Sequence, residues 1–268
     1  MKKLLTSKSL RFAAVRSCRA GSIGTFSLVR TASLLFAFCI GAVIASPAQT
    51  VDILFEFQGF DGSDPFDSPV QGINGNFYGT TLGTIFEITP AGKLTTLHSF
   101  TGPDGTVPLG DLVLGSDGNF YGTTVSGGEG KCSSAEGQGC GTVFKITGAG
   151  KLTTLHSFDG TDGDNSLAGL VQASNGNFYG TTSAGGAYGS GTVFEITPAG
   201  KLTTLHSFDG TDGASPMAGL IQASNGNFYG TMYSGGAHAS GTVFEITPAG
   251  KLSVVYSFCS QTNCTDGT

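Results

Sequence analysis

The chain has 268 residues, of which 44 are glycine and only 12% are charged, and its formal net charge is −6. So much glycine excludes an architecture of long helices, because glycine is among the weakest helix formers. After residue 48 the chain contains six lysines, no arginine and 19 acidic residues, a net charge of −13. This balance excludes nucleic acid and anionic membrane surfaces as partners, since both are bound through basic side chains.

The first 48 residues have the pattern of a secretory signal peptide. Lysines and arginines extend to Arg30, an apolar run follows over residues 32–45, and Ser46-Pro47-Ala48 is a small-residue cleavage site. We predict removal of residues 1–48, which leaves residues 49–268 as an exported repeat domain that is secreted or held at the cell surface. The length of the basic region leaves a transit peptide as an alternative. The apolar run is short for a bilayer span, and no membrane span is predicted in the mature chain.

Four cysteines remain after the predicted cleavage, in two local pairs: Cys132 with Cys140, and Cys259 with Cys264. In an exported protein such pairs are typical of small disulfide loops. A metal site is less well supported, because neither pair has the usual C-x-x-C spacing. The excursion that contains Cys132 and Cys140 is expected to lie outside the core, so that its reduction would leave the fold intact.

Most of the chain consists of four near-copies of one block. The glycine that opens the motif Gly-Asn-Phe-Tyr-Gly-Thr recurs at Gly75, Gly118, Gly176 and Gly226, at intervals of 43, 58 and 50 residues. Each block holds four short apolar runs separated by turn sequences such as Asn-Gly, a strong hairpin signal. Four strands repeated at this period indicate a propeller blade.

We therefore predict an all-β, β-propeller-like array of about four four-stranded antiparallel blades plus one surplus strand. The blades are placed at about residues 58–100, 101–158, 159–208 and 209–258. Residues 51–57 align with the fourth strand of a block, and they are the surplus strand. In the second strand Phe178 and Tyr179 must point to opposite faces, so each is expected to pack against a neighbouring blade.

The alternation of strands places the variable loops on one face of the array. These are the connections between second and third strands and the linkers between blades, and a binding site is expected there. The ligand-binding candidates are Tyr188, Tyr233 and His238, with a glycan or a surface protein as the partner.

Three repeated polar positions invite a chemical role. A fourth-strand position holds His98, His156 and His206 but also Phe55 and Tyr256, so a packing ring is favoured over a metal ligand. A third-strand position holds Glu87, Glu195 and Glu245 but also Lys145, which indicates a solvated edge rather than a general acid. The asparagines after the turn glycine are expected to fix the turn through side-chain to backbone hydrogen bonds; they are Asn76, Asn119, Asn177 and Asn227.

Acidic linkers offer a possible calcium site. Two related runs carry Asp159, Asp162 and Asp164 in one linker and Asp209 and Asp212 in the next. Alternating carboxylates suit calcium, whereas Asp-Gly sequences also simply form turns. The runs lack the closing glutamate of an EF-hand, so turns are favoured, calcium is the alternative, and no other cofactor is expected.

The block Gly-Leu-Val-Gln-Ala-Ser-Asn-Gly-Asn-Phe-Tyr-Gly-Thr-Thr, followed by Gly-Thr-Val-Phe-Glu-Ile-Thr-Pro-Ala-Gly-Lys-Leu-Thr-Thr-Leu-His-Ser-Phe, resembles the bacterial GloVer tandem repeat. This repeat is also described as the choice-of-anchor repeat. The resemblance covers the chain from Val51 onward. It implies an exported, surface-associated protein, often with a separate anchoring or adhesive domain, and it supplies no catalytic residues.

These observations predict a non-enzymatic binding or adhesion module outside the cell. The alternatives are a lyase or hydrolase that acts on polysaccharide and requires acidic residues converging at the centre of the disc, and a purely structural spacer.

Overall fold

The computed structural model describes residues 53–59, 62–134 and 137–267, and the side chains of residues 133–138 are not described. The predicted signal peptide and residues 51–52 lie outside the described residues. Nearly all the described secondary structure is β-strand, in four four-stranded antiparallel sheets, which confirms the predicted fold class. In the part of the chain that the structure describes, no helix meets the length and apolarity that a bilayer crossing requires.

The four sheets follow one another along the chain, and each is called a blade. Blade 1 contains β1 (Val70–Gln71), β2 (Phe77–Thr80), β3 (Thr84–Ile88) and β4 (Leu94–Ser99). Blade 2 contains β5 (Val113–Leu114), β6 (Phe120–Thr124), β9 (Thr142–Ile146) and β10 (Leu152–Ser157), with the small hairpin β7 (Ser133–Ser134) and β8 (Gly137–Gln138) between its second and third strands. Blade 3 contains β11 (Val171–Gln172), β12 (Phe178–Thr182), β13 (Thr192–Ile196) and β14 (Leu202–Ser207). Blade 4 contains β15 (Ile221–Gln222), β16 (Phe228–Thr231), β17 (Thr242–Ile246) and β18 (Leu252–Ser257), and a short 3-10 turn follows at Thr262–Cys264.

Within a blade the four strands pair in chain order. The register of the second and third strands places a glycine opposite a phenylalanine. In blade 3, Gly180 pairs with Phe194 across β12 and β13. A Cβ at Gly180 would lie 2.6 Å from Cζ of Phe194, so glycine allows the ring to lie flat over the neighbouring strand. The same arrangement recurs in the other three blades.

The hydrophobic core consists of three clusters, each between two successive blades. Phe178 stacks on Tyr121 of blade 2 with ring centroids 3.9 Å apart, and Tyr179 stacks on Phe228 of blade 4 at 4.1 Å. Both side chains of blade 3 are at most 1% exposed. The prediction that the two rings point to opposite faces and pack against different blades is confirmed.

Residues 53–57, the described part of the predicted surplus strand, form no sheet. A fourth strand pairs with a third strand, and the described residues provide none for this segment. It nevertheless packs against blade 1, since the Phe57 ring lies 5.2 Å from that of Phe86. Residues 53–57 thus lie against blade 1 where the fourth strand of a preceding blade would lie, but no third strand among the described residues pairs with them.

Candidate functional site

The linkers between blades and the loops between second and third strands lie on one face, as the sequence predicts. Isolated bridges join them in three blades: Thr106 with Ser126, Asp164 with Ala184, and Ala214 with Ser234. We call this surface the loop face. The hairpin turns between first and second strands end on the opposite side, because consecutive strands are antiparallel.

The aromatic candidates on the loop face are exposed. Tyr188 is 68% exposed and Tyr233 is 72% exposed. His238, which aligns with Tyr188 in the block, is also exposed. The structure gives the side chains of these three residues no hydrogen bond within the described part of the chain. Their rings are therefore available to a ligand and are not needed for packing.

A central cavity of about 340 Å³ lies where the segments that precede the first strands of the four blades meet. Leu109, Leu167 and Met217, at one repeated position, give it an apolar wall. Two carboxylates, from Asp67 and Asp111, also line it. Because these segments connect the loop-face linkers to the first strands, the cavity lies toward the loop face.

The two carboxylates of the cavity have different surroundings. Burial and the nearby charge of Asp111 raise the pKa of Asp67 to about 6, against a weaker lowering by the Thr80 hydroxyl. Asp111 is exposed, and its Oδ1 accepts a hydrogen bond of 3.1 Å from the backbone N–H of Ser68 in blade 1. Asp67 can therefore gain or lose a proton close to neutral pH.

Sequence reasoning missed this pair, although a signal was present. At the position of Asp67 the other blocks hold Gly110, Ala168 and Ala218. At the position of Asp111 blades 3 and 4 hold Gly169 and Gly219. Both acids are departures from the repeat, and both fall where successive blades meet.

The histidine position does more than pack. His98, His156 and His206 make edge-on ring contacts with the phenylalanine two residues later, as a packing role predicts. Each Nε2 also lies 2.6–2.7 Å from a linker carboxylate, those of Asp104, Asp162 and Asp212. In the last block Tyr256 donates its hydroxyl to Asp266 at 2.6 Å. The ring contacts confirm the packing role, and the hydrogen bonds add a second one, because they tie the fourth strand to the following loop.

The third-strand glutamate is not simply a solvated edge, and that expectation is wrong. In blade 3, Glu195 Oε1 accepts hydrogen bonds from the Tyr179 hydroxyl at 2.7 Å and from Asn177 Nδ2 at 2.7 Å. Burial and the bond to Glu195 raise the pKa of Tyr179 to about 12. Glu87 and Glu245 accept the corresponding bonds in blades 1 and 4.

In blade 2 the same cluster is built with its carboxylate in the turn and a lysine in the third strand. Lys145 replaces the glutamate, and Asp117 replaces the asparagine of the turn. Asp117 Oδ2 accepts from the Tyr121 hydroxyl at 2.9 Å and from Asn119 Nδ2 at 2.8 Å. The carboxylate has moved from the third strand to the turn, so the tyrosine keeps an anionic acceptor.

The asparagines after the turn glycine also act differently from expectation. Asn177 uses its side chain to bind Glu195, whereas the turn is fixed by Asn175, whose Oδ1 accepts from the N–H of Asn177 at 3.0 Å. The turn-stabilising residue is therefore the one before the glycine.

The acidic linkers form hydrogen-bonded turns. Asp159 Oδ1 accepts from the N–H and hydroxyl of Thr161, and Asp162 Oδ1 accepts from the N–H of Asp159. Asp209 and Asp212 repeat this arrangement. Asp164 lies apart, beside the Cys132–Cys140 disulfide, and its buried Oδ1 has no hydrogen-bond partner among the described residues. The turn hypothesis accounts for these contacts, and calcium binding stays a prediction.

Both predicted disulfides are present, Cys132–Cys140 and Cys259–Cys264. The first does not lie outside the core, which corrects the expectation. Cys140 is fully buried in the cluster between blades 2 and 3, and Cys132 packs against that cluster. The excursion folds back onto the interface between blades 2 and 3, so the Cys132–Cys140 disulfide contributes apolar contacts there.

The family model of the Gloeobacter/Verrucomicrobia repeat matches residues 81–268. The chain belongs to this repeat family. The match spans the last two strands of blade 1 and all of blades 2, 3 and 4, which is where the block recurs most regularly. No curated protein matches the chain.

The repeat protein is similar in fold to β-propeller-like proteins of known structure. Virginiamycin B lyase from Staphylococcus aureus matches 72% of this chain and 55% of its own, with 15% identity and a TM-score of 0.50. A gluconolactonase from Xanthomonas campestris matches 70% of this chain and 60% of its own, with 14% identity and a TM-score of 0.43. An extracellular domain of a one component system from Bacteroides thetaiotaomicron matches 72% of this chain and 22% of its own, with 12% identity and a TM-score of 0.49. The chain spans little more than half the length of the lyase, and the likeness shows the fold alone.

Proposed function

We propose that this repeat protein is an extracellular, non-enzymatic binding or adhesion module whose loop face contacts an uncharged glycan or the glycan chains of a surface protein. The leader-like first 48 residues and the two disulfides support an extracellular location. The charge balance of the mature chain disfavours anionic ligands.

The exposure of Tyr188 and Tyr233 carries the proposal. At the second-strand position Tyr78, Tyr121 and Tyr179 each stack on the next blade and donate a hydrogen bond to a carboxylate. Tyr229 donates the corresponding hydrogen bond to Glu245, whereas the two loop tyrosines have neither role. Tyrosine offers a large, rigid surface with a polar end at low entropic cost, which suits it to ligand contact. The apolar wall of the central cavity extends this surface toward the axis.

Calorimetric titration of the protein with a panel of neutral polysaccharides tests the proposal. Tyr188→Ala and Tyr233→Ala should each weaken binding about tenfold, close to 1.4 kcal/mol. Ile73→Ala is the matched control, because Ile73 is 87% exposed but lies in a hairpin turn on the opposite side. Titration with calcium and with a chelator tests the acidic linkers. The proposal fails if nothing binds, or if both tyrosine variants bind like the parent.

A second function, cleavage of a polysaccharide, is favoured by the cavity carboxylates. Acids at the disc centre are what such an enzyme requires, and Asp67 with a pKa of about 6 can donate or accept a proton near neutral pH. Asp111 would supply the second carboxylate. Release of product from a polysaccharide by the parent protein, but not by Asp67→Asn or Asp111→Asn, would identify an enzyme. If the parent neither binds nor cleaves any polysaccharide, the structural spacer is the remaining function.

A further inference from the structure

The three interfaces between successive blades are built from the same contacts. A second-strand tyrosine stacks on the second-strand phenylalanine of the next blade, with centroids 3.9–4.1 Å apart. The phenylalanine after the fourth strand meets a third-strand phenylalanine of the next blade edge-on at 5.3–5.4 Å. A fourth-strand carbonyl lies against a turn glycine of the next blade, as Leu155 does against Gly200.

On the outer face of blade 1, residues 53–57 make two of these three contacts, the edge-on phenylalanine contact and the carbonyl–glycine contact. Phe57 meets Phe86 edge-on, and a Cβ at Gly92 would lie 2.5 Å from the carbonyl oxygen of Leu54. The third contact, a tyrosine ring stacked on the second-strand phenylalanine, is not made, because Phe77 has no ring partner among the described residues. The segment is weakly held: it forms no ladder, and Ile53 is 73% exposed.

The outer face of blade 4 presents the opposite half of the same contacts. Val255, at the position of Leu205, is 55% exposed, and Ile221 is 66% exposed. Phe258 is partly exposed, whereas Phe208 at the same position in blade 3 is fully buried. Tyr229 has no ring stacked on it within the described part of the chain. The outer face of blade 4 thus carries the residues that pack against a following blade elsewhere in the chain, but no blade among the described residues packs against it.

We propose that blade 4 of one copy docks on blade 1 of a second copy and displaces residues 53–57 from it. Tyr229 would stack on the second copy's Phe77, Phe258 would replace Phe57 beside Phe86, and the Val255 carbonyl would replace that of Leu54 at Gly92. Each contact reproduces one already present between blades of the chain. The blade 1 face and the blade 4 face are therefore complementary to each other rather than to themselves.

Two copies joined in this way close a ring. Copies joined through two different faces form a closed ring only when the rotation from one copy to the next, multiplied by the number of copies, makes one full turn. The described blades match 55% of the length of the lyase, so two sets of these four blades amount to about one complete disc. The closed pair would have eight blades, within the size range of known propellers.

Sedimentation velocity of the full protein over a wide concentration range tests this assembly. The expected result is a monomer–dimer equilibrium that Val255→Glu weakens at least tenfold. Phe57→Ala loosens the competing segment and should strengthen association. Ile73→Glu, the control at an exposed apolar residue away from both faces, should leave it unchanged. A parent that stays monomeric, a dimer indifferent to Val255→Glu, or open-ended growth beyond the dimer would overturn the proposal.

Crosslinking checks the register of the two copies independently. The double variant Phe77→Cys/Tyr229→Cys should form covalent dimers on oxidation, seen on non-reducing gels. Neither single variant should do so, because the proposed contact sets residue 77 of one copy against residue 229 of the other. Equal crosslinking by a single variant would show a symmetric contact and exclude the head-to-tail pair.

Discussion

Blade 2 offers a test of whether the tyrosine clusters stabilise the fold, because its carboxylate lies in the turn and not in the third strand as in the other blades. Asp117→Asn removes the anionic acceptor of the fully buried Tyr121 and the attraction between the Asp117 carboxylate and Lys145. Hydrogen bonds to charged groups contribute about 1.5–3 kcal/mol, and partial exposure reduces this to a loss of about 1–2 kcal/mol. Lys145→Glu brings a second carboxylate to Asp117 and should cost about 1 kcal/mol.

The double variant Asp117→Asn/Lys145→Glu recreates the cluster of blade 3 and should be within about 0.5 kcal/mol of the parent. The coupling energy would then be about 2–3 kcal/mol, or about 4–12 °C in Tm for a domain of this size. Urea and thermal unfolding of the four proteins measure it. The reciprocal exchange in blade 3, Asn175→Asp with Glu195→Lys, is the matched control. Strictly additive effects would refute the reasoning, since they would mean that the carboxylate's position does not matter to the tyrosine.

Three further predictions address the core, the disulfide and the cavity. Tyr179→Ala should cost about 3–5 kcal/mol because the ring is 1% exposed, whereas Tyr188→Ala at 68% exposure should leave the Tm unchanged; equal midpoints would contradict this assignment. Reduction of Cys132–Cys140 should lower the Tm, since Cys140 is in the core, and an unchanged Tm in the reduced protein would place the excursion outside it. Because the folded pKa of Asp67, about 6, lies above the ordinary 3.8, its ionisation destabilises the fold as pH rises between those values. Asp67→Asn should therefore gain stability over the parent from pH 4 to pH 7, and a constant difference across that range would exclude the assignment.

The architecture could be predicted because each blade encodes itself locally. Turn sequences such as Asn175-Gly176 and the alternation of Phe178 and Tyr179 depend on a few neighbouring residues. The surplus segment could not be predicted in the same way. Residues 53–57 have the sequence of a fourth strand, but a strand requires a partner, and the described part of the chain supplies none.

The roles of the polar residues could be predicted only in part, for a different reason. A position that accepts phenylalanine, histidine or tyrosine indicates packing, which the ring contact of His206 confirms, but the pattern does not reveal that the same ring also binds the Asp212 carboxylate. A position that accepts glutamate or lysine indicates a solvated edge when it is considered alone, but the turn residue that contacts the same tyrosine changes with it, as Asp117 does with Lys145.

Paired departures from a repeat are therefore more informative than single positions. In blade 2, Asp117 and Lys145 change together, and the hydrogen bonds to Tyr121 show that one change compensates for the other. Asp67 and Asp111 depart from the repeat in successive blocks, and both line the central cavity, where burial and, to a smaller extent, the charge of Asp111 raise the pKa of Asp67. The first pair restores what every other blade has, so it serves the fold. The second pair places two carboxylates in one cavity without a cationic partner among the residues that line it, and burial of Asp67 near the charge of Asp111 costs stability. Functional sites are where proteins retain such costs. That difference is why the cavity acids, and not the tyrosine clusters, are the residues to test for chemistry.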